Sequence, residues 1–205
     1  MITAEAAIVR LREGNRRFAA GAQTSKAMSA RPADLAAGQK PFAIILGCSD
    51  SRVPAEIVFD QGLGDLFVIR IAGNIVAPSQ IGSIEFAASQ FGTRLVVVMG
   101  HTQCGAVLAA VDELQAPVAN RSRNLRSIVD FIKPSVEQCL TAHGDDDHDR
   151  LVEKAVRANI ERSVDHLRHG SDILEHLIAA DGLRIVGAEY SLETGVVEFL
   201  DTAGG

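Results

Sequence analysis

Two short constellations carry most of the chemistry this sequence can do. Cys48-Ser-Asp-Ser-Arg52 follows one apolar run and His101-Thr-Gln-Cys104 follows another. Two thiolates and an imidazole form a tetrahedral set that zinc accepts, and three protein ligands leave a fourth position for water or substrate. A structural zinc site ordinarily takes four Cys or His ligands, and here the fourth is missing. Cys139 falls in an expected helix with no paired ligand and reads as a partly buried thiol. Taken singly, Cys48 and Cys104 would each read as small buried residues.

Charged residues directly beyond a buried strand add to the case for metal. An arginine fork can hold a carboxylate bidentately, fixing it and lowering its tendency to take a proton. Asp50 held by Arg52 could then accept a hydrogen bond from a hydroxide on the metal and orient it. An Asp–Arg pair that only ties a turn together is the plainer alternative. Gly105, at an expected helix start, could offer its backbone N–H to an anion at close range.

Elements must bring the two constellations together. Phe42–Leu46, Leu66–Ile69 and Leu95–Met99 are continuous apolar runs, as in strands covered on both faces of a parallel sheet. Helices are expected over Ala4–Ala20, Ser79–Phe91, Cys104–Leu114, Arg123–Ala142, Asp149–Arg168 and Asp172–Ala180. In the fifth of these, Val152, Val156, Ile160, Val164 and Leu167 form an apolar stripe. Leu183–Val186 and Gly195–Leu200 complete the strands, the last closing a hairpin at an antiparallel edge. The expected fold class is α/β, three layers with about four parallel strands plus the antiparallel edge strand, flanked by helices and preceded by an N-terminal helical arm. Ligand crevices in such sheets lie at the carboxyl ends of strands, where both constellations stand.

The chain reads as one domain over residues 1–205, with arm and connection over 1–40 and the α/β core over 41–205. A 47% hydrophobic content suffices for a core of that size. A net charge of -6 without any dense Lys/Arg run argues against nucleic acid. No apolar stretch is long enough for a membrane span or signal core, and three cysteines suit a reducing compartment, so a cytoplasmic location is expected. Gly144–Asp149 reads as a solvated loop with an Asp capping the next helix, and His143 and His148 beside it could bind a divalent ion adventitiously.

Cys48-x-Asp50-Ser51-Arg52 followed by His101-x-x-Cys104 closely resembles the paired zinc motif of the β-class carbonic anhydrases. Further segments resemble that family: Gly14-Asn15-x-x-Phe18, Gly62-x-Gly64-Asp65-Leu66-Phe67-Val68-x-Arg70, Ala72-Gly73-Asn74 and Gly82-Ser83-Ile84-Glu85-Phe86. The resemblance implies one Zn²⁺ per chain on Cys48, His101 and Cys104, and reversible hydration of carbon dioxide to bicarbonate by zinc-bound hydroxide that Asp50–Arg52 orients. Asp50 could itself take the fourth position in a closed state. By the same resemblance Gln39 hydrogen-bonds the substrate, and Phe67 and Phe86 wall its pocket across a dimer interface. The minimal unit is then a dimer, with the arm on its partner and higher assemblies open. Two departures stand out: Ile45 occupies a position where some members carry Trp, and Ile71 one where many carry Asn. Hydrolysis of carbon disulfide or carbonyl sulfide uses the same zinc chemistry, and a zinc-stabilised interaction module is the alternative from outside enzymes.

Overall fold

A computed structural model describes residues 2–24, 32–115, 122–142 and 147–200. Helix α1 (Ala4–Ala19) starts at Thr3, whose hydroxyl accepts from the Ala6 amide, and its last turn carries Arg16 and Arg17 at the negative end of the helix dipole. Its buried face is Ala4, Ala7, Leu11, Gly14 and Asn15, with Ile8 and Phe18 half-buried beside it. That face lies on the chain's own core rather than projecting from it. Asn15 fixes the docking by donating to the Val58 and Gly195 carbonyls at 3.1 and 2.9 Å and accepting from the Val197 amide at 2.8 Å.

Helix α2 (Pro32–Leu35) is a single turn within the expected connection, of which residues 25–31 lie outside the described ones. Next come β1 (Ala43–Gly47), α3 (Ala55–Val58), β2 (Leu66–Arg70) and a 3₁₀ turn over Ala72–Asn74. Helix α4 (Pro78–Gln90), with proline where a missing N–H costs nothing, leads to β3 (Leu95–His101). Helices α5 (Gly105–Gln115), α6 (Arg123–Ala142), α7 (His148–His169) and α8 (Asp172–Ala180) follow, then β4 (Arg184–Tyr190) and β5 (Val197–Leu200).

The five strands lie in the order β2-β1-β3-β4-β5, all parallel except β5, which pairs antiparallel with β4. This is the expected mixed sheet with its antiparallel edge. Every residue of β1 and β3 is buried, as continuous apolar strands between two helical layers must be. The α7 stripe is buried throughout, and Ile160 fills hollows at Gly100 of β3 and Gly187 of β4, where an added Cβ would meet it at 2.6 and 2.8 Å. Asp147 caps α7 by accepting from the Arg150 amide at 2.9 Å, as expected of an Asp there, whereas residues 143–146 lie outside the described ones. His148 bonds Asp112 at 3.1 Å.

Two boundaries differ usefully from expectation. Strand β3 runs two residues past Met99, because β4 continues the ladder through Gly100↔Glu189 and His101↔Tyr190. His101 is therefore a strand residue, held by backbone pairing. Gly195 belongs to the turn instead of the last strand: its φ is +74°, and its amide bonds the Ser191 carbonyl at 2.9 Å.

From β1 the chain moves outward to β2 and then crosses back to β3 on the other side of β1. The connections leaving β1 and β3 therefore diverge, opening a crevice beyond their carboxyl ends. Residues 48–52 and 101–104 line it.

Candidate metal centre

Cys48 is the first residue beyond β1, His101 the last of β3, and Cys104 the residue before α5. Their Sγ, imidazole N and Sγ atoms lie within 4.8 Å of one another, and all three residues are buried. One ion at zinc bond lengths of about 2.0–2.3 Å can reach all three. The histidine is already oriented for it. Its Nδ1 lies 2.9 Å from the Thr102 carbonyl, which can only accept, so Nδ1 carries the proton and Nε2 presents its lone pair. That Nε2 is buried with no hydrogen-bond partner, the arrangement a metal ligand requires.

The sulfurs tell the same story. Cys104 hydrogen-bonds Cys48, which pulls the Cys48 thiol well below its usual range, helped by His101 and by the Asp50 and Gly73 backbone amides. Cys104, facing that thiolate in a desolvated site, is pushed up. Two buried thiolates side by side repel, and a divalent cation between them lets both ionise. The residues present therefore fit a zinc ion.

Asp50 is gripped from three directions by one residue. Arg52 donates its Nε and backbone N–H to Oδ1, both at 2.9 Å, and its Nη2 to Oδ2 at 2.7 Å. The guanidinium hydrogen bond holds the carboxyl well below the usual carboxylate range. Oδ2 still lies 4.0 Å from His101 Nε2, at the edge of the ligand cluster.

Sequence reasoning missed the residues that fix this loop. Arg70, the last residue of β2, donates to the Cys48 carbonyl at 3.0 Å and the Asp50 carbonyl at 2.6 Å, stapling the loop to the neighbouring strand. Gly73 donates its amide to Cys48 Sγ at 3.3 Å. Gln103 adopts a left-handed φ of 54°, its carbonyl 3.4 Å from Arg52 Nη2 and its side-chain amide 2.7 Å from Glu193 of the β4–β5 turn. Arg70 and Gly73 stood inside recognisable segments, but their contacts are non-local and no spacing announces them.

Gly105 opens α5 directly after Cys104 and is exposed, with nothing within 4 Å of where a Cβ would stand. Gln39, Phe67 and Phe86 do not join the cluster within one chain. Gln39 precedes β1 while Cys48 follows it, and Phe67 is paired with Ile44, three residues short of the end of β1. Phe67, Phe86 and Phe91 form an aromatic group with centroids 5.8–6.3 Å apart, and Gln39 and Phe91 line one cavity. Phe86 is 53% exposed. Ile45 is buried in β1, and the Ile71 amide bonds the Gly47 carbonyl at 3.1 Å.

The carbonic anhydrase family model matches residues 43–197, which includes every residue of the cluster. The chain belongs to the β-carbonic anhydrase family. Carbonic anhydrase 2 of Mycobacterium tuberculosis is 40% identical over 198 residues, which is 95% of this chain and 91% of that one. The carbonic anhydrase of Mycolicibacterium smegmatis is 38% identical over the same length, covering 95% and 92%. Among solved structures, the β-carbonic anhydrase CafA of Aspergillus fumigatus superposes with a TM-score of 0.77 at 27% identity, covering 98% of this chain and 92% of that one. Two tetrameric β-carbonic anhydrases come from Sordaria macrospora, and the matched chain has a TM-score of 0.75 at 25% identity, covering 84% and 87%. Among the described residues of this β-carbonic anhydrase no helix is long and apolar enough to cross a membrane.

Proposed function

We propose that the chain catalyses the zinc-dependent, reversible hydration of carbon dioxide to bicarbonate and a proton. The observation that carries this is a buried three-ligand cluster whose free histidine nitrogen lies 4.0 Å from an arginine-held carboxylate. Cys48 Sγ, His101 Nε2 and Cys104 Sγ would hold the zinc, one per chain. When bound, it acts as a Lewis acid that makes water a nucleophile near neutral pH.

The protein's own groups supply position and charge. Asp50 Oδ2 accepts a hydrogen bond from the attacking water and orients its lone pair toward the substrate carbon. Arg52 keeps that carboxylate ionised and turned to one side by its bidentate grip. Gly105 offers its backbone N–H to the bicarbonate product. Asp50 could also turn from Arg52 to the metal in a closed state, which would be favoured at acidic pH where hydroxide is scarce, so activity is expected to rise with pH.

A dimer or larger homo-oligomer supplies the rest of the pocket. Gln39, Phe67 and Phe86 of one chain serve the partner's substrate, which accounts for their lying away from their own ligand cluster and for an exposed Phe86. Three cysteines outside any disulfide, two of them the proposed zinc ligands, suit the cytoplasm.

Zinc analysis combined with stopped-flow hydration over a pH series tests this reading. One zinc per chain and a rate rising toward alkaline pH are expected. One zinc with no hydration above the buffer rate at alkaline pH would overturn the enzymatic reading and leave a structural clamp.

A further inference from the structure

The buried stripe of α7 is interrupted by two polar residues, Asn159 and Ser163, which are 2% and 5% exposed. Both donate to the 3₁₀ turn after β2. Asn159 Nδ2 reaches the Gly73 carbonyl at 2.8 Å, and Ser163 Oγ reaches the Asn74 carbonyl at 3.3 Å. The Gly73 amide, on the other side of the same α-carbon, donates to Cys48 Sγ. One residue therefore separates a buried helix amide from a metal ligand.

Gly73 has φ 69° and ψ 21°, a left-handed conformation that glycine reaches without steric cost and also leaves without steric cost. A Cβ there would meet Ile132 Cδ1 at 2.7 Å and Ala106 Cβ at 3.1 Å, so a side chain would crowd both and also strain a left-handed backbone. With no side chain to restrain it, Gly73 takes its orientation from its surroundings. Those are the Asn74 amide on the Ile71 carbonyl at 3.0 Å and the Asn159 amide on its own carbonyl.

The geometry points to Asn159 as a positioning residue of the metal centre: by holding the Gly73 carbonyl, it aims the Gly73 amide at Cys48 Sγ. This rests on the zinc reading given above. An N–H donated to a thiolate withdraws electron density from sulfur and fixes the direction of its remaining lone pairs, so the bond sets both how strongly and from where Cys48 binds the metal. Ser163 acts one peptide further on and steadies the turn without addressing the sulfur.

Asn159→Leu removes the donor while keeping the number and branching of side-chain heavy atoms. Alanine is the poorer choice, because a cavity of about 150 Å³ already borders Asn159 and would let water replace the lost amide. In the cobalt-substituted protein, loss of the N–H···S bond raises the sulfur lone-pair energy, so the thiolate-to-cobalt charge-transfer band of N159L moves to longer wavelength. In the zinc protein, transfer of metal to a chromogenic chelator speeds up by about tenfold, the lower end for lost outer-sphere partners. S163A lowers the melting temperature with no movement of the band, which separates positioning from mere support. If N159L does not fold, N159D serves in its place, since its carboxylate turns acceptors toward an acceptor. A folded N159L or N159D with the parent's band and release rate overturns the assignment of Asn159. A parent protein that binds cobalt with no thiolate band overturns the metal-centre reading itself.

Discussion

At the scale of single residues, the ligand set makes the sharpest expectations. Cys48→Ala, His101→Ala and Cys104→Ala each lose zinc and activity together, because one of three ligands contributes a large share of the binding free energy. Cys139→Ala keeps both, its sulfur being outside the cluster, and metal analysis beside the hydration rate checks all four. Arg52→Ala is subtler. The lowered pKa of Asp50 comes first from the Arg52 side chain, so its removal lets that pKa rise toward the ordinary carboxylate range. Asp50 stays ionised at neutral pH but loses its bidentate hold, and kcat falls by about ten- to hundredfold across the alkaline range with KM changed far less. The linkage runs in the same sense. A depressed carboxylate pKa stabilises the fold above the unfolded value and loses that contribution as pH falls through the folded value. Acid titration of the parent and R52A by circular dichroism should therefore show R52A unfolding at the higher pH.

At the scale of elements, α7 is positioned by a side chain entering two glycine hollows. Gly100→Ala puts a Cβ 2.6 Å from Ile160 Cδ1 and should cost about 1–3 kcal/mol as α7 is pushed off β3. Ile160→Val in the same chain should return part of that loss, and a double-mutant cycle from denaturant melts measures it. The same packing shows where sequence reading succeeds. The α6 and α8 limits match expectation to the residue and the five strands stand where the apolar runs placed them, because burial on both faces writes itself into composition. The cluster of Cys48, His101 and Cys104 was readable for a different reason: metal chemistry allows few residue types, and both constellations stand at strand ends. Arg70, Gly73, Asn159 and Glu193 were not readable. Each acts through a contact with residues far away in sequence, and a lone Arg or Asn in an amphipathic pattern looks like any other polar position.

At the scale of the whole molecule, the N-terminal helix packs one face onto its own chain's core. Asn15 ties α1 to the end of α3, the β4–β5 turn and the start of β5, so Asn15→Ala leaves two carbonyls and a buried amide without this partner. A loss of roughly 2–4 kcal/mol follows from several such groups, read from thermal or urea melts. Self-association is expected to use the aromatic group at the β2 edge. Phe86→Glu should shift the protein toward monomers in sedimentation velocity and reduce activity, with zinc content unchanged; an active F86E monomer would separate assembly from catalysis. The sheet carries one more consequence. The sequence has a single tyrosine and no tryptophan, and that tyrosine is Tyr190, paired in register with His101 and 6.3 Å from the ring of Phe18. Its backbone carbonyl accepts from the Thr102 amide, in the loop between the ligands. Tyrosine emission from this protein thus has one source, placed beside the loop that joins His101 to Cys104, so metal entry there should be readable in solution by tyrosine fluorescence without a label.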